Sequence, residues 1–350
     1  MSPSDRAAQA GQADEVTQAC RWGVLGAGRI AREFAAGLPA SRTGVLAAVA
    51  STDQARARAL AGPGGQVTAY GDYAALLADP GVDAVYIATL HPQHAGLIAA
   101  SAAAGKHVLC EKPLTVTGAE AAAAVAAAAA AGVVLVEAMQ YRFQPQTERI
   151  RSALADGLIG TPQHVDVACA FATELDPADR LFDPAAAGGA ILDVGCYAMS
   201  FARMIAGWTL ADDAVDPAEL VAGGHLAAAG VDDWAVASLF FPGGLTANVR
   251  TGTRLADDFQ AVIYGSEGYL RIANPWTPGK DGSEPQVLLS RVGEEIRMLP
   301  CATAPLFGAE ADALWAARDQ GEVTAMSPGD SVATMRSLDR WRAGVGAAHG

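Results

Sequence analysis

The pattern of apolar and polar positions changes character near Gln140. Before it, short unbroken apolar runs alternate with helix-length segments. Strands are predicted at Trp22–Leu25, Val45–Ser51, Ala84–Ala88, Val108–Cys110 and Val133–Glu137, and helices at Ile30–Gly37, Ala55–Ala61, Tyr73–Ala78, His94–Ala104 and Gly118–Ala131. Strands that alternate with helices in this way argue for a parallel sheet covered on both faces. Beyond Gln140 a helix over Thr147–Ala155 leads to a long strand, Gln163–Phe171, and to a Gly-rich helix start near Gly188. Strand-like runs follow, including Asp233–Phe241, Leu245–Thr251 and Gln260–Tyr264, with turn signals at Pro242-Gly243-Gly244 and Gly265-Ser266-Glu267-Gly268. They predict a mostly antiparallel or mixed sheet. Phe307–Gln320 and Val332–Val345 return to helix. The expected organisation is α/β: a leader over 1–20, a first domain over 21–140 and a second over 141–350.

Composition narrows the possible partners. A chain of 350 residues that is 51% hydrophobic and 18% charged can bury sizeable cores. A formal net charge of -14 argues against a surface that grips nucleic-acid phosphates. Cys20, Cys110, Cys169, Cys196 and Cys301 lack metal-site or disulfide-framework spacing, which fits a reducing, cytoplasmic setting. Met1–Ala19 carries Asp5, Asp14 and Glu15 without an apolar core, as a disordered leader would and a secretory signal would not. Ala119–Ala131 is too short and weakly apolar to span a bilayer, so no membrane partner is expected.

Candidate chemistry begins where the first strand ends, in Gly26-Ala27-Gly28-Arg29-Ile30-Ala31. Gly26 permits a tight turn, Gly28 lets backbone approach a pyrophosphate, and Ala31 lets the helix sit close on the strand. A bare strand-to-helix turn reads the same way in isolation, but its place at the head of a repeated strand-helix series is the context a dinucleotide site requires. After the second strand, Ser51 and Thr52 stand where an NAD enzyme would carry a ribose-binding acid. Small hydroxyls there tolerate a 2′-phosphate, which favours NADP over NAD. Asp53 remains an alternative source of the acid, and Arg56 and Arg58 read as well as surface charges.

These marks, with Thr89-Leu90-His91-Pro92-Gln93-His94, Glu111-Lys112-Pro113, Arg180-Leu181-Phe182-Asp183-Pro184 and Gly188 to Tyr197, resemble the Gfo/Idh/MocA oxidoreductase family over nearly the whole chain after residue 20. They look most like the branch that holds dimeric dihydrodiol dehydrogenase, NADP-linked D-xylose dehydrogenase and glucose-fructose oxidoreductase. The resemblance implies an N-terminal Rossmann domain with a parallel sheet, and a C-terminal α/β domain with a large open, mostly antiparallel sheet whose outer face forms a homodimer or higher oligomer. It implies that Gly26, Gly28, Arg29, Ile30, Ser51, Thr52, Thr89, His91, His94, Glu111 and Lys112 hold the cofactor, and that Lys112, Arg142, Asp193 and Tyr197 meet the substrate. Pro113 resembles the family's cis proline, which would aim Lys112.

Lys112, Asp193 and Tyr197 form the expected catalytic set. Asp193 and Tyr197 are four residues apart, so an unbroken helix would point both into one space. An ammonium from Lys112 beside Tyr197 would lower the phenol's pKa and give an acid/base pair. The competing readings are a solvated loop lysine, a Tyr197 packed beneath a helix, an Asp193 that is only a helix-end charge, a His94 that caps its helix, and an Arg142 that joins the two halves by a salt bridge. Arg180 and Asp183 are open in the same way. Members of this branch often carry a tryptophan near Gln140, and its absence argues mildly against an aromatic dihydrodiol substrate. The expected activity is hydride transfer between a nicotinamide and a carbinol carbon of a sugar or cyclic polyol. The rivals on the same fold are a sugar-nucleotide ketoreductase, an NAD-dependent glycosidase and a non-catalytic dinucleotide sensor.

Overall fold

The computed structural model describes residues 19–172, 179–257, 259–280, 282 and 284–347. The leader expected before residue 20 lies outside them, apart from position 19.

Six strands build the first sheet: β1 (Cys20–Leu25), β2 (Gly44–Ala50), β3 (Thr68–Tyr70), β4 (Ala84–Ile87), β5 (His107–Cys110) and β6 (Leu135–Glu137). Every pairing is parallel, and the order is β3-β2-β1-β4-β5-β6. The chain reverses direction across the sheet between β1 and β4, which opens a crevice beyond their carboxyl ends, the place where ligands bind in such sheets. The connections are α1 (Arg29–Gly37), α2 (Gln54–Ala61), α3 (Tyr73–Leu77), α4 (His94–Ala103) and α5 (Gly118–Ala131). Helix α5 is a run of alanines held at both ends. Thr117 and Glu120 form a reciprocal capping box at its start, and left-handed Gly132 stops it.

The second sheet has eight strands in the order β14-β13-β12-β11-β7-β10-β9-β8. They are β7 (Pro162–Ala170), β8 (Glu219–Leu226), β9 (Asp232–Phe240), β10 (Thr246–Gly252), β11 (Gln260–Gly265), β12 (Gly268–Ala273), β13 (Gln286–Arg291) and β14 (Arg297–Leu299). Only β7 and β10 run parallel, so the expectation of a mostly antiparallel sheet holds. Along β9, Ala235, Ala237 and Leu239 face inward, while Trp234, Val236 and Phe240 remain exposed on the open side. The inner face packs on α7 (Cys196–Leu210) and α9 (Pro328–Val345). Pro184–Leu210 is apolar and long enough to cross a membrane, yet 78% of its apolar window is buried inside the protein, as in a core helix. Helix α6 (Pro145–Ala155) leads from the first sheet into β7.

Two features depart from the pattern-based expectation. The helix predicted to start near Gly188 begins as a π turn, Ile191–Gly195, before α7. Helix α8 (Leu306–Ala316) crosses back onto the first sheet. Its Phe307, Ala311, Leu314 and Trp315 share a core with Trp22, Phe34 and Tyr86. Asp312 fixes it there by accepting hydrogen bonds from the side chains of Ser41 and Thr43 at 2.6 and 2.8 Å.

Candidate active site

A cavity of about 810 Å³ lies over the carboxyl ends of β1 and β4 and reaches from the glycine turn to Lys112 and Asp193. At its first end Gly26 has φ +108°, and a Cβ there would lie 2.7 Å from the Ala88 carbonyl oxygen, so only glycine lets β1 turn this close to β4. Gly28 differs. It is extended, and a Cβ on it would meet nothing within 4 Å, so the packing of the chain leaves free the space that glycine keeps open. Helix α1 begins beside that space with no capping side chain and no acid in its first turn. Its amino end therefore presents unmatched N–H groups to an anion, as a pyrophosphate site requires. Arg29 and Ile30 line the same wall.

Ser51 and Thr52 line the cavity where β2 ends, as expected. Asp53 does not supply the missing acid, because its carboxylate caps α2 by accepting from the amides of Ala55 and Arg56. Arg56 reaches back to donate to the Ala27 carbonyl at 3.1 Å and forms part of the cavity wall with Tyr73. Arg56 is exposed, as a surface charge would be, and it also lines the cavity.

The other end is built by β4, β5 and the π turn. Thr89, His91, Glu111, Lys112, Arg180 and Asp193 all line it. The Lys112–Pro113 bond is cis. The Lys112 ammonium donates to the Asp193 backbone carbonyl and lies 4.0 Å from its carboxylate, which also pairs with Arg180 at 3.0 Å. Burial pushes the Asp193 carboxyl up, but Lys112 and Arg180 outweigh it and hold the group below its ordinary value. Burial pulls Lys112 down, but Asp193 together with Cys196 and Glu111 outweighs it, so the ammonium stays charged. Burial and the neighbouring His94 drive His91 down to about 3, which keeps it neutral. Its Nδ1 and the Thr89 hydroxyl are both buried without a hydrogen-bond partner among the described residues. The uncapped start of α1 and the free space beside Gly28 are what a bound pyrophosphate would use, so the residues present fit a dinucleotide.

Three expectations need correction. His94 does not reach the cavity: it is fully buried, and its ring nitrogens face the carbonyls of Pro113 and Thr89 at 3.0 and 3.3 Å. It ties the Lys112 loop to the end of β4 instead of touching a ligand. Arg142 is not a substrate contact. Its guanidinium donates to Asp330 at 2.7 Å and to the Ser200 carbonyl at 2.9 Å, with side-chain exposures of only 5% and 4% for the ion pair. The salt-bridge reading is the one the structure shows. Tyr197 does lie against Lys112, whose Nζ is 5.0 Å from its ring centroid, but the effect on its acidity is opposite to the expectation. Burial, then Glu111, pushes the phenol well above its ordinary value. The π turn also alters the predicted shared face: Asp193 lines the cavity, whereas the Tyr197 ring packs near Trp276 and Tyr141 at 5.6 and 6.2 Å. Gln140, in the position expected to be aromatic, is buried in the short turn Gln140–Phe143.

Comparison with known proteins agrees with this geometry. The profile of the oxidoreductase family with an NAD-binding Rossmann fold matches residues 20–139, and that of the GFO/IDH/MocA C-terminal domain matches residues 147–271. Trans-1,2-dihydrobenzene-1,2-diol dehydrogenase of Mus musculus is 39% identical over 264 residues, covering 74% of this chain and 76% of its own. D-xylose 1-dehydrogenase (NADP(+)) 2 of Haloferax volcanii is 35% identical over 300 residues, covering 84% and 87%. Among solved structures, a 3-ketoreductase from Actinomadura kijaniata in complex with NADP and TDP-benzene superposes with a TM-score of 0.82 at 28% identity, covering 94% of this chain and 98% of that one. With both halves matched and the cleft built as described, this chain belongs to the Gfo/Idh/MocA family of oxidoreductases.

Proposed function

We propose that this protein is an NADP-linked dehydrogenase that transfers hydride between the nicotinamide and a carbinol carbon of a sugar or cyclic polyol. The observation that carries the reading is the continuity of one cleft from the uncapped end of α1 to the charged Lys112. NADP is favoured over NAD because Asp53 is committed to its cap and Arg56 stands beside Ser51 and Thr52, a cationic and hydroxylic surround suited to a 2′-phosphate. Gly26, Gly28, Arg29 and Ile30 would hold the pyrophosphate, and Thr89, His91 and Glu111 the nicotinamide end.

When bound, the cofactor supplies or accepts the hydride. Lys112, fixed by Asp193, places positive charge where a substrate oxygen gains negative charge on reduction. Asp193 orients that ammonium, and Arg180 shares the carboxylate. Burial keeps Tyr197 a neutral phenol at neutral pH, the form that can give a proton to the reduced oxygen. The relatives' substrates, a dihydrodiol and an aldose, are both CH–OH compounds, and an aldose would leave as its lactone. Reduction of a keto group on a nucleotide-linked sugar is the second reading, favoured by the likeness to the Actinomadura 3-ketoreductase. The exposed Trp234, Val236, Phe240 and Tyr264 on the outer sheet face suit pairing with a second copy, and the absence of paired cysteines suits the cytoplasm.

The test mixes the protein with NADP+ or NAD+ and with D-xylose, D-glucose, myo-inositol and a trans-dihydrodiol in turn, following reduced-nicotinamide absorbance. Turnover with one of them, reduced about 10²–10⁴-fold in Tyr197→Phe, is expected. Silence across the panel despite nucleotide binding would move the assignment to the ketoreductase.

A further inference from the structure

The run Arg180-Leu181-Phe182-Asp183-Pro184 and the glycines after it have little part in the hydride step, yet the fold holds them closely. A Cβ on Gly188 would lie 2.6 Å from the Leu181 carbonyl oxygen and 2.7 Å from that of Arg180, and the Gly189 amide donates to the Leu181 carbonyl at 2.9 Å. Glycine is what lets the turn of Arg180 press against the chain that leads into the π turn and Asp193. Arg180 is thereby fixed on the cavity wall, beside Phe171, Leu181 and Val194. Its Nη2 donates to Asp193 Oδ1 at 3.0 Å, and its Nε and Nη1 have no hydrogen-bond partner among the described residues. Its side chain is 42% exposed.

The charges at this end of the cavity do not balance. Lys112 and Arg180 reach the same oxygen of Asp193, over 4.0 and 3.0 Å, so one carboxylate serves two cations that stand within a sugar ring's length of each other. The other acids on the wall are engaged elsewhere: Asp179 accepts from the Leu181 amide at 2.9 Å, and Glu111 accepts from the Tyr86 hydroxyl. A guanidinium with free N–H groups matches the paired oxygens of a carboxylate, and it can only donate, so a neutral hydroxyl uses it poorly. We propose that the substrate is a sugar acid: a hexuronate whose C1 hydroxyl lies at Lys112, whose C6 carboxylate is held by Arg180, and whose ring faces Phe171, Leu181 and Val194. In its oxidation the C1–H bond breaks and the hydrogen leaves with the electron pair to NADP+, the hydroxyl proton goes to solvent, and the C1–O bond becomes the carbonyl of a lactone.

The inference rests on the NADP-linked reading, and the experiment keeps the two apart. D-glucuronate and D-galacturonate are compared with D-glucose and D-xylose as hydride donors to NADP+. Calorimetry then measures NADPH binding, and D-glucuronate binding to the NADPH complex, in which the oxidation cannot run. The expected kcat/KM for a uronate exceeds that for D-glucose, which differs only at C6, by about tenfold to hundredfold, the scale of charge-assisted hydrogen bonds. Arg180→Gln should bring that ratio toward one, mainly through the uronate's KM, because a contact at C6 is made alike before and during the transfer. It should also weaken D-glucuronate binding to the NADPH complex. Arg180→Lys, which keeps the charge without the fork, should fall between. An unaltered protein that uses D-glucose as well as the uronates, or that binds NADPH and uses no uronate, overturns the inference even if the variants do not fold. So does a preference that survives in Arg180→Gln. If NADPH itself does not bind, the cofactor reading falls and the inference with it.

Discussion

Two centres in this molecule have the same composition and opposite surroundings. In each, one aspartate holds two cations: Asp193 with Lys112 and Arg180, and Asp330 with Arg142 and Arg203. The side chains of the second centre are 4%, 5% and 0% exposed, and Arg203 has one further partner, Asp216, at 3.3 Å. The first forms the wall of a cavity, and its Arg180 is 42% exposed. A closed set of charges fixes the packing of α9 against the Gln140–Phe143 turn. An open set can lend its charge to a ligand. Residue type alone does not distinguish a site from a strut; access does.

Removing the shared carboxylate is the most forceful way to break this comparison. Asp330→Ala leaves Arg142 buried without a counter-charge and Arg203 with Asp216 alone, and should cost about 3–5 kcal/mol in chemical denaturation. Asp193→Ala should cost clearly less, because water in the cavity can solvate Lys112 and Arg180. Equal losses would erase the distinction. Removing the open centre's ammonium should reverse the pattern. Lys112→Met is expected to leave the denaturation midpoint unchanged or higher while lowering kcat about 10²–10³-fold in steady-state assays, the scale of losing one preorganised charge at a developing oxyanion.

A smaller effect comes from Glu137, which stands between the centres. Its carboxylate accepts from the Leu114 amide, just beyond Lys112–Pro113, and it feels Asp330 and Arg142 on the other side. Burial raises it to about 7 from an ordinary 4.5. A carboxyl raised in the folded state favours folding below its unfolded pKa, and that contribution is lost as pH rises toward 7. The loss is on the order of 2–3 kcal/mol. Glu137→Gln keeps the oxygen that accepts from Leu114, so denaturation curves between pH 4.5 and pH 8 should show a shallower decline than in the unaltered protein. An identical decline would place the pH dependence elsewhere.

The parallel half was the more legible part of the sequence because its strands are continuous apolar runs. The boundaries of α5 were readable to the residue, since Thr117, Glu120 and Gly132 mark them chemically. In the second sheet, β8 carries Gly223-Gly224 in its middle and β12 to β14 have short, mixed patterns, so alternation singled out only their neighbours. Local spacing led to Gly26 and Gly28, and the family resemblance to Lys112 and Asp193, all of which line the cleft. Local spacing could not show that Arg142 would meet Asp330. That partner lies almost two hundred residues along the chain, and the encounter depends on the whole fold.

The return of α8 to the first sheet also bears on how the protein is made. Ser41 and Asp312 bond across a separation of 271 residues, and Phe307 and Trp315 complete the core around Trp22 and Phe34. When the six strands have left the ribosome, one face of their sheet is covered only in part, by α1 and α2. The first half therefore waits, with apolar surface exposed, until translation has passed residue 316. Such late closure is slow to form and gives chaperones a long interval in which to bind.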